Sequence, residues 1–435
     1  MLLLSVAIAV VAPSNPPCPE DKICFTNLTA PQLLEAAANL ERTGAAQDAE
    51  TILLAVTHDP DPEARAEARF RLGQLRERRG DIAGAIEAYR ALLAEKSNAG
   101  RVRLDLARLL AGQGDEVGAR RELRRASAAG LPDDVSRLVD QLSLALRSRR
   151  PFGGSIEVAL APDTNINRST RNRTVDTVIA PFSLSEDARG QSGVGAAISA
   201  QAFARGPVLD VPMLARLSGR GDIYRRSRFN DIIVSFATGP EIASSSGRWR
   251  PAAVINHRRY GGHTYSNGWG ATVNWLRPLD GRTQVEVDAT ALKMDYPSQP
   301  EQDGILYDAS VGLEKAVTPR LSVRSTMGMS RQSAREEAFA SWSGRAGALL
   351  AQAIGRQIVF GQIDVSILRM DARQFLFPQV RNETRLDLTV GALFRSWSFR
   401  GLSPLVRLVR TENWSTLDLY RYDRTRVEFG LSREF

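Results

Sequence analysis

The sequence predicts an α + β chain in two parts: an N-terminal α-helical solenoid and a C-terminal transmembrane antiparallel β-barrel of about 14 strands. Three observations carry this. Residues 30–147 repeat a pattern of small and large apolar positions at a near-constant step. After Pro151 the pattern changes to strict apolar–polar alternation. The 435 residues are 43% hydrophobic and 24% charged, yet contain no internal apolar run of 18 residues. A helical membrane protein is therefore excluded, whereas a barrel is not, because alternation gives a membrane barrel the mean composition of a soluble chain.

Residues 1–12 (MLLLSVAIAVVA) read as the apolar core of a signal peptide, with Ala12 as the cleavage candidate. The basic n-region is missing, so either the start lies upstream or the signal is unusual. The segment is too short to span a bilayer, which favours export over anchoring. A linker follows over 13–29. It holds both cysteines, Cys18 and Cys24, whose spacing suits a local disulfide in an oxidising compartment. Lipidation at Cys18 is disfavoured by the preceding Pro16-Pro17.

The helical part is expected over 30–150. Gly44, Ala49 and Leu53 recur as Gly80, Ala85 and Tyr89, then as Gly114, Ala119 and Leu123, at steps of 36 and 34 residues. Ala37, Gly73 and Ala107 mark the same small position on each partner helix. This is tetratricopeptide spacing: small residues where two helices touch, glycine between them, a large apolar residue on the second helix. A single hairpin cannot bury its apolar face alone, so three must stack. Residues 133–148 place Val135, Leu138, Val139, Leu142 and Leu146 on one helical face, as a cap or coupling helix would. Such stacks bind peptide on the concave side, or act as spacers.

The barrel is expected over 151–435. Val285, Val287, Ala289 and Ala291 alternate with Gln284, Glu286, Asp288 and Thr290. Leu386, Leu388, Val390 and Ala392 alternate with Arg385, Asp387, Thr389 and Gly391 in the same way. Fourteen strands begin near 153, 192, 211, 231, 249, 266, 282, 305, 320, 340, 358, 382, 403 and 422. Short connections (279–282, 317–320, 354–357, 400–403) alternate with longer ones (162–191, 295–304, 330–339, 371–381, 411–421), the rim asymmetry of outer-membrane barrels. All six tryptophans (Trp249, Trp269, Trp275, Trp342, Trp397, Trp414) fall near strand ends, as interfacial girdles require. The final strand, with Val427, Phe429, Leu431 and Phe435 on one face, resembles the C-terminal signal read by outer-membrane assembly machinery. Arg433 interrupts that face, where it can snorkel to the interface.

The remaining function classes are thin. The net charge of +8 comes with only four lysines among 57 basic residues, spread along the chain without a basic–aromatic patch, so a nucleic-acid partner is not expected. His58, His257 and His263 do not cluster with carboxylates, and His257 and His263 are expected to flank an external loop. No Gly-x-Ser-x-Gly elbow or phosphate-binding loop appears. Asp163, Asn165 and Asn167 alternate oxygens as a calcium loop does but lack its glycine and glutamate, so hydrogen bonds fixing the loop are the favoured reading. Neither a cofactor, a metal nor catalysis is expected.

The barrel sequence resembles the surface lipoprotein assembly modifier (Slam) family. Asp163-Thr164-Asn165-Ile166-Asn167-Arg168 is similar to the family's Asp-Ser/Thr-Asn-x-Asn signature after its first strand. Arg258-Arg259-Tyr260-Gly261-Gly262, followed by Tyr265, resembles a second segment. The tail Arg410, Asn413-Trp414-Ser415, Tyr420, Arg424, Gly430-Leu431 and Arg433-Glu434-Phe435 resembles the final hairpin. Three repeats make a short helical domain for the family. The resemblance implies an outer-membrane translocator for surface lipoproteins or related secreted proteins, with the helical domain in the periplasm of a Gram-negative cell. Its implied partners are the client, outer-membrane lipid and the barrel-assembly machinery. The competing readings are a polysaccharide-export porin with repeats or another structural barrel.

Overall fold

The computed structural model describes residues 28–129, 151–399 and 401–434. The expected signal segment, Cys18 and Cys24, helix 133–148 and Phe435 lie outside those residues. Two compact units divide the chain after Leu75.

Six helices come first: α1 (Ala30–Arg42), α2 (Ala46–Val56), α3 (Pro62–Arg78), α4 (Ile82–Glu95), α5 (Gly100–Gly112) and α6 (Glu116–Ala128). In the first unit α1 starts where the Thr29 amide donates to Gln32 Oε1 at 2.9 Å, with Pro31 in the first turn, a proline position that loses no helical bond. Leu34 and Ala37 of α1, with Ala49, Ile52, Leu53 and Val56 of α2, are buried. In the second unit Asp81 and Asp115 cap α4 and α6, accepting from the amides of Gly84 (2.9 Å) and Gly118 (2.7 Å). The nine small and large marker positions of the repeat are all buried. The three turn glycines, Gly44, Gly80 and Gly114, have φ of +86°, +80° and +84°, so the repeat is conformational as well as compositional.

The barrel strands, numbered here in chain order, are β1 (Phe152–Asp163), β2 (Gly193–Val208), β3 (Val211–Tyr224), β4 (Asp231–Pro240), β5 (Gly247–Tyr260), β6 (His263–Pro278) and β7 (Thr283–Asp295). They continue as β8 (Gly304–Ala316), β9 (Leu321–Gln332), β10 (Ser341–Ile354), β11 (Gln357–Met370), β12 (Asn382–Leu393), β13 (Ser403–Ser415) and β14 (Tyr422–Glu434). Each pairs antiparallel with its neighbours in sequence, and β1 pairs with β14, which closes the ring. Every start falls within three residues of the position expected from alternation. Glu241 breaks β4, and Ile242–Ser244 continues the edge against β5.

Alternation sorts the side chains as expected. Val158, Leu160, Val365, Ile367, Leu388, Val390, Phe429 and Leu431 are exposed on the outer face. Glu157, Asp364, Asp387 and Glu428 lie at positions of the opposite parity on those same strands, facing the lumen. The short-turn rim carries the two-residue turn Leu209-Asp210, with both φ positive (+49° and +63°), as a primed hairpin demands. The opposite rim carries the long segment 164–192.

Three details depart from expectation. The 258–263 region is not a loop: β5 runs through His257 to Tyr260 and turns back on Gly261-Gly262 alone, with φ of +60° and +86°. The β12–β13 connection runs from 394 to 402 and includes a 3-10 turn at Arg395–Trp397, because Phe394 stacks on Trp397 at 4.9 Å and leaves the ladder. Trp269 lies seven residues into β6, since that strand starts at His263. It pairs with Lys293, two residues before the end of β7, so it still sits level with its neighbour's rim.

Candidate functional site

The Asp-Thr-Asn-Ile-Asn-Arg run lies where β1 ends. Asp163 is buried, and its carboxylate accepts from Arg424 Nε (2.9 Å) and Nη2 (2.5 Å), Tyr224 Oη (3.3 Å) and the Asn165 amide (2.9 Å). Asn165 Nδ2 donates to the carbonyls of Ser169 (2.9 Å) and Asp423 (3.0 Å), and Oδ1 accepts from the Ser169 amide (3.1 Å). Asn167 Nδ2 donates to the Arg189 carbonyl (2.8 Å), and Oδ1 accepts from the Gln191 amide (2.9 Å). Ile166 packs with Tyr224 and Phe229. Arg168 takes a left-handed φ of +51° and reaches Asp222 at 3.5 Å. Each asparagine thus uses both its donor and its acceptor to hold a stretch of backbone in place. The run anchors both ends of segment 164–192 to β1, β3 and β14.

The Arg-Arg-Tyr-Gly-Gly segment lies at the same mouth. Arg258 binds Asp231 through Nε (2.9 Å) and Nη2 (2.8 Å) and covers the Tyr265 ring at 4.6 Å. Tyr265 meets Tyr260 and Tyr296 edge-on at 6.5 and 5.8 Å. Arg259 Nη2 donates to the Gly262 carbonyl (2.6 Å), closing the turn. A Cβ at Gly261 would come within 2.9 Å of the Arg228 carbonyl oxygen, so glycine is required for space as well as for φ. Arg228 in turn pairs with Asp187 of segment 164–192 at 2.6 Å. Two segments distant in sequence therefore converge through one ion pair. His257 faces outward, 2.7 Å from Asn267 Oδ1. Among the described residues no group of His, Cys, Asp and Glu has metal-binding geometry.

The other mouth holds a contact that alternation does not reveal. Arg124 of α6 donates to Gln284 Oε1 (3.0 Å) and pairs with Glu314, both inward-facing residues at the short-turn ends of β7 and β8. Arg103 of α5 donates to the Pro319 carbonyl (2.9 Å), Arg282 donates to the Ser127 carbonyl (3.3 Å), and Arg356 pairs with Glu87 (2.9 Å). Behind this row Glu122 sits between Arg103 (2.5 Å) and Arg125 (2.9 Å), all three buried. Burial alone would raise the Glu122 carboxyl, but Arg125 and Arg103 outweigh it and hold the group below the usual carboxylate range. The cue in the sequence is the doublet pair Arg120-Arg121 and Arg124-Arg125, a helical turn apart. On an exposed helix such residues would be ordinary surface.

On β14, Phe429 and Leu431 are exposed on the outer face, and Arg433 is exposed beside them. Residues 155–435, which include every pairing just described for the barrel wall, match the sequence model of the family described as surface lipoprotein assembly modifier.

The chain belongs to the surface lipoprotein assembly modifier family.

A tetratricopeptide repeat model matches residues 78–142, which adds helices to the family's barrel. One relative is the hemophilin secretion modulator of Acinetobacter baumannii, 21% identical over 394 residues, covering 85% of this chain and 79% of the relative. Among solved structures, a bacterial polysaccharide outer membrane secretin is similar at 10% identity and a TM-score of 0.36, covering 65% of this chain and 98% of the other. The outer membrane channel DcaP of Acinetobacter baumannii is similar at 9% identity and a TM-score of 0.34, covering 65% of this chain and 96% of the other.

Proposed function

We propose that the chain is an outer-membrane translocator that delivers a client, a surface lipoprotein or a related secreted protein, to the cell exterior. One observation carries the reading. Within one family-matched chain, helices α5 and α6 meet the short-turn rim of a closed 14-strand barrel through buried arginines. A domain that receives a client on one side is thereby tied to the wall that crosses the membrane. In this reading residues 1–12 export the chain, 30–150 lie in the periplasm, and 151–435 form the membrane domain. Cys18 and Cys24 form a disulfide in that oxidising compartment. Phe429, Leu431 and Phe435 are the strand that the barrel-assembly machinery engages, and lipid covers the outer apolar band. Asp163, Asn165, Asn167, Arg168 and Arg258–Gly262 shape the mouth through which the client leaves. The work is binding and positioning, without catalysis or a cofactor.

The test is removal of the gene followed by protease shaving of intact cells. Surface exposure of a co-encoded secreted or lipidated protein is expected to fall and to return with the wild-type gene. Unchanged exposure of every such client overturns the reading.

A further inference from the structure

Part of the inward face of the barrel stays open to solvent, although other inward residues, such as Leu214, Leu276, Arg426 and Glu428, are buried. Ser199, Gln201 and Arg220 face the lumen and are exposed. The inward side chains of Arg324, Arg345 and Arg385 are 43%, 43% and 45% exposed even though each is ion-paired. A wall of fourteen strands encloses more space than its own residues fill, and here that space is accessible to water.

The charges on this wall are segregated. Strands β2 to β5 point Arg205, Arg216, Arg220, Arg248, Arg250 and Arg258 inward, against Asp222, Asp231 and Glu241, the residue just after β4. Strands β7 to β12 point Glu286, Asp288, Asp308, Glu314, Asp364, Glu383 and Asp387 inward, against Arg324, Arg345 and Arg385. Glu314 is taken by Arg124 of α6 and Glu383 by Arg381, which leaves Asp288 and Asp364 as the carboxylates without an arginine partner among the described residues. One side is net basic and the other net acidic. In a ring of fourteen, β3 and β10 are seven strands apart, so the two sides face each other. Across β13, β14 and β1 the charges balance, with Arg407 bound to Glu157 and Glu428, and Arg426 bound to Asp222 on β3. Local pairing removes most of these charges on both sides. Asp308 and Glu286 pair with Arg345 and Arg324 on one side, and Arg205, Arg248, Arg250 and Arg258 pair with Glu241 and Asp231 on the other. Among the described residues the inward charges without an ion-pair partner are therefore Arg216 and Arg220, facing Asp288 and Asp364.

We propose that the lumen is a hydrated path for small inorganic ions and zwitterionic solutes, crossed by a transverse electrostatic field from the Arg216–Arg220 wall to the Asp288–Asp364 wall. Facing walls of opposite charge in a low-dielectric shell focus the field across the path rather than along it. Such a field aligns a solute that carries both charges and admits cations and anions along opposite sides. The inference goes beyond the export reading and does not depend on it.

The test is planar-bilayer recording with the purified full-length chain in potassium chloride, with heat-modifiable gel migration confirming a folded barrel for each protein. Stepwise conductance with weak ion preference is expected for the wild type. The R216E/R220E variant changes four units of charge in the path. It should raise the potassium-to-chloride permeability ratio on the order of tenfold at low ionic strength, from Coulomb energies at ~10 Å in water. R216Q/R220Q, which keeps polar side chains of similar reach, should shift it the same way by less. D288N/D364N, which keeps the hydrogen bonds to Asn274 and Gln362, should shift it the opposite way. Folded protein that never conducts, or variants whose selectivity equals the wild type, would overturn the proposal. Loss of client exposure in cells is scored separately, so failure of either reading leaves the other standing.

Discussion

Asp163 is fully buried at the end of β1, and the group that neutralises it, Arg424, comes from β14 at the far end of the chain. Removing one partner of a buried ion pair strands the other charge, which costs about 3–5 kcal/mol. The D163A variant is therefore expected to lower the urea midpoint of the heat-modifiable band markedly. The D163A/R424M double variant should recover part of that loss, because no charge is left stranded. A double variant no better than D163A would show that Arg424 finds another counter-charge. Part of this site was legible in the sequence: the alternation of short polar oxygens in Asp163, Asn165 and Asn167 reads as a loop held by hydrogen bonds, and so it is. Arg424 stood among the tail residues of the family resemblance, but nothing in local spacing links residues 261 positions apart. The ring closure alone brings them together.

At the scale of elements, the strands were readable because a lipid-facing wall enforces period two, and the repeat was readable because its turn glycines need positive φ. Misreadings occurred where the physics changed. Gly261-Gly262 needs no loop, since two left-handed residues reverse a strand by themselves, and the connection expected at 400–403 starts at 394 because Phe394 stacks on Trp397 instead of continuing the ladder. The arginines of α6 were invisible as a dock, because periodicity treats a charged helical face as solvated. That dock carries a pH prediction. Glu122 is held below its ordinary value by Arg125 and Arg103, once the opposing effect of burial is overcome. A carboxylate depressed in the folded state contributes stability that is present above its unfolded value, about 4.3, and lost as pH falls through the lower folded value. Protection of α5 and α6 from an acid-active protease such as pepsin should therefore hold at pH 5 and fall as pH drops below about 4. The E122Q variant should be more readily cleaved at pH 5 and show a shallower loss on acidification. An equally steep loss in E122Q would assign the pH dependence to other carboxylates.

For the molecule as a whole, the decisive joint is between strands farthest apart in sequence. Every other strand pairs with a neighbour joined by a connecting segment, but β1 must wait for β14. The closing ladder runs from Ser155↔Glu434 to Leu160↔Phe429, stops at Ala161-Pro162, and resumes at Asp163↔Arg426. Pro162 has no amide to donate, so the ladder is weakest just below the mouth, and inward ion pairs compensate there: Arg424 to Asp163 above the gap and Arg407 from Glu428 to Glu157 below it. Two consequences follow from this division. Removing residues 431–435 deletes the pairings of Ser155, Ile156, Glu157 and Val158, leaving only Ala159, Leu160 and Asp163 in the joint. The ring is then expected to stay open, with loss of the heat-modifiable form and degradation of the chain in cells. Substituting Arg433 alone with leucine, which keeps every backbone pairing and makes the outer face continuous, should leave closure intact. If the truncated chain still migrated as a folded barrel, closure would rest on the ion pairs of the mouth rather than on the terminal ladder.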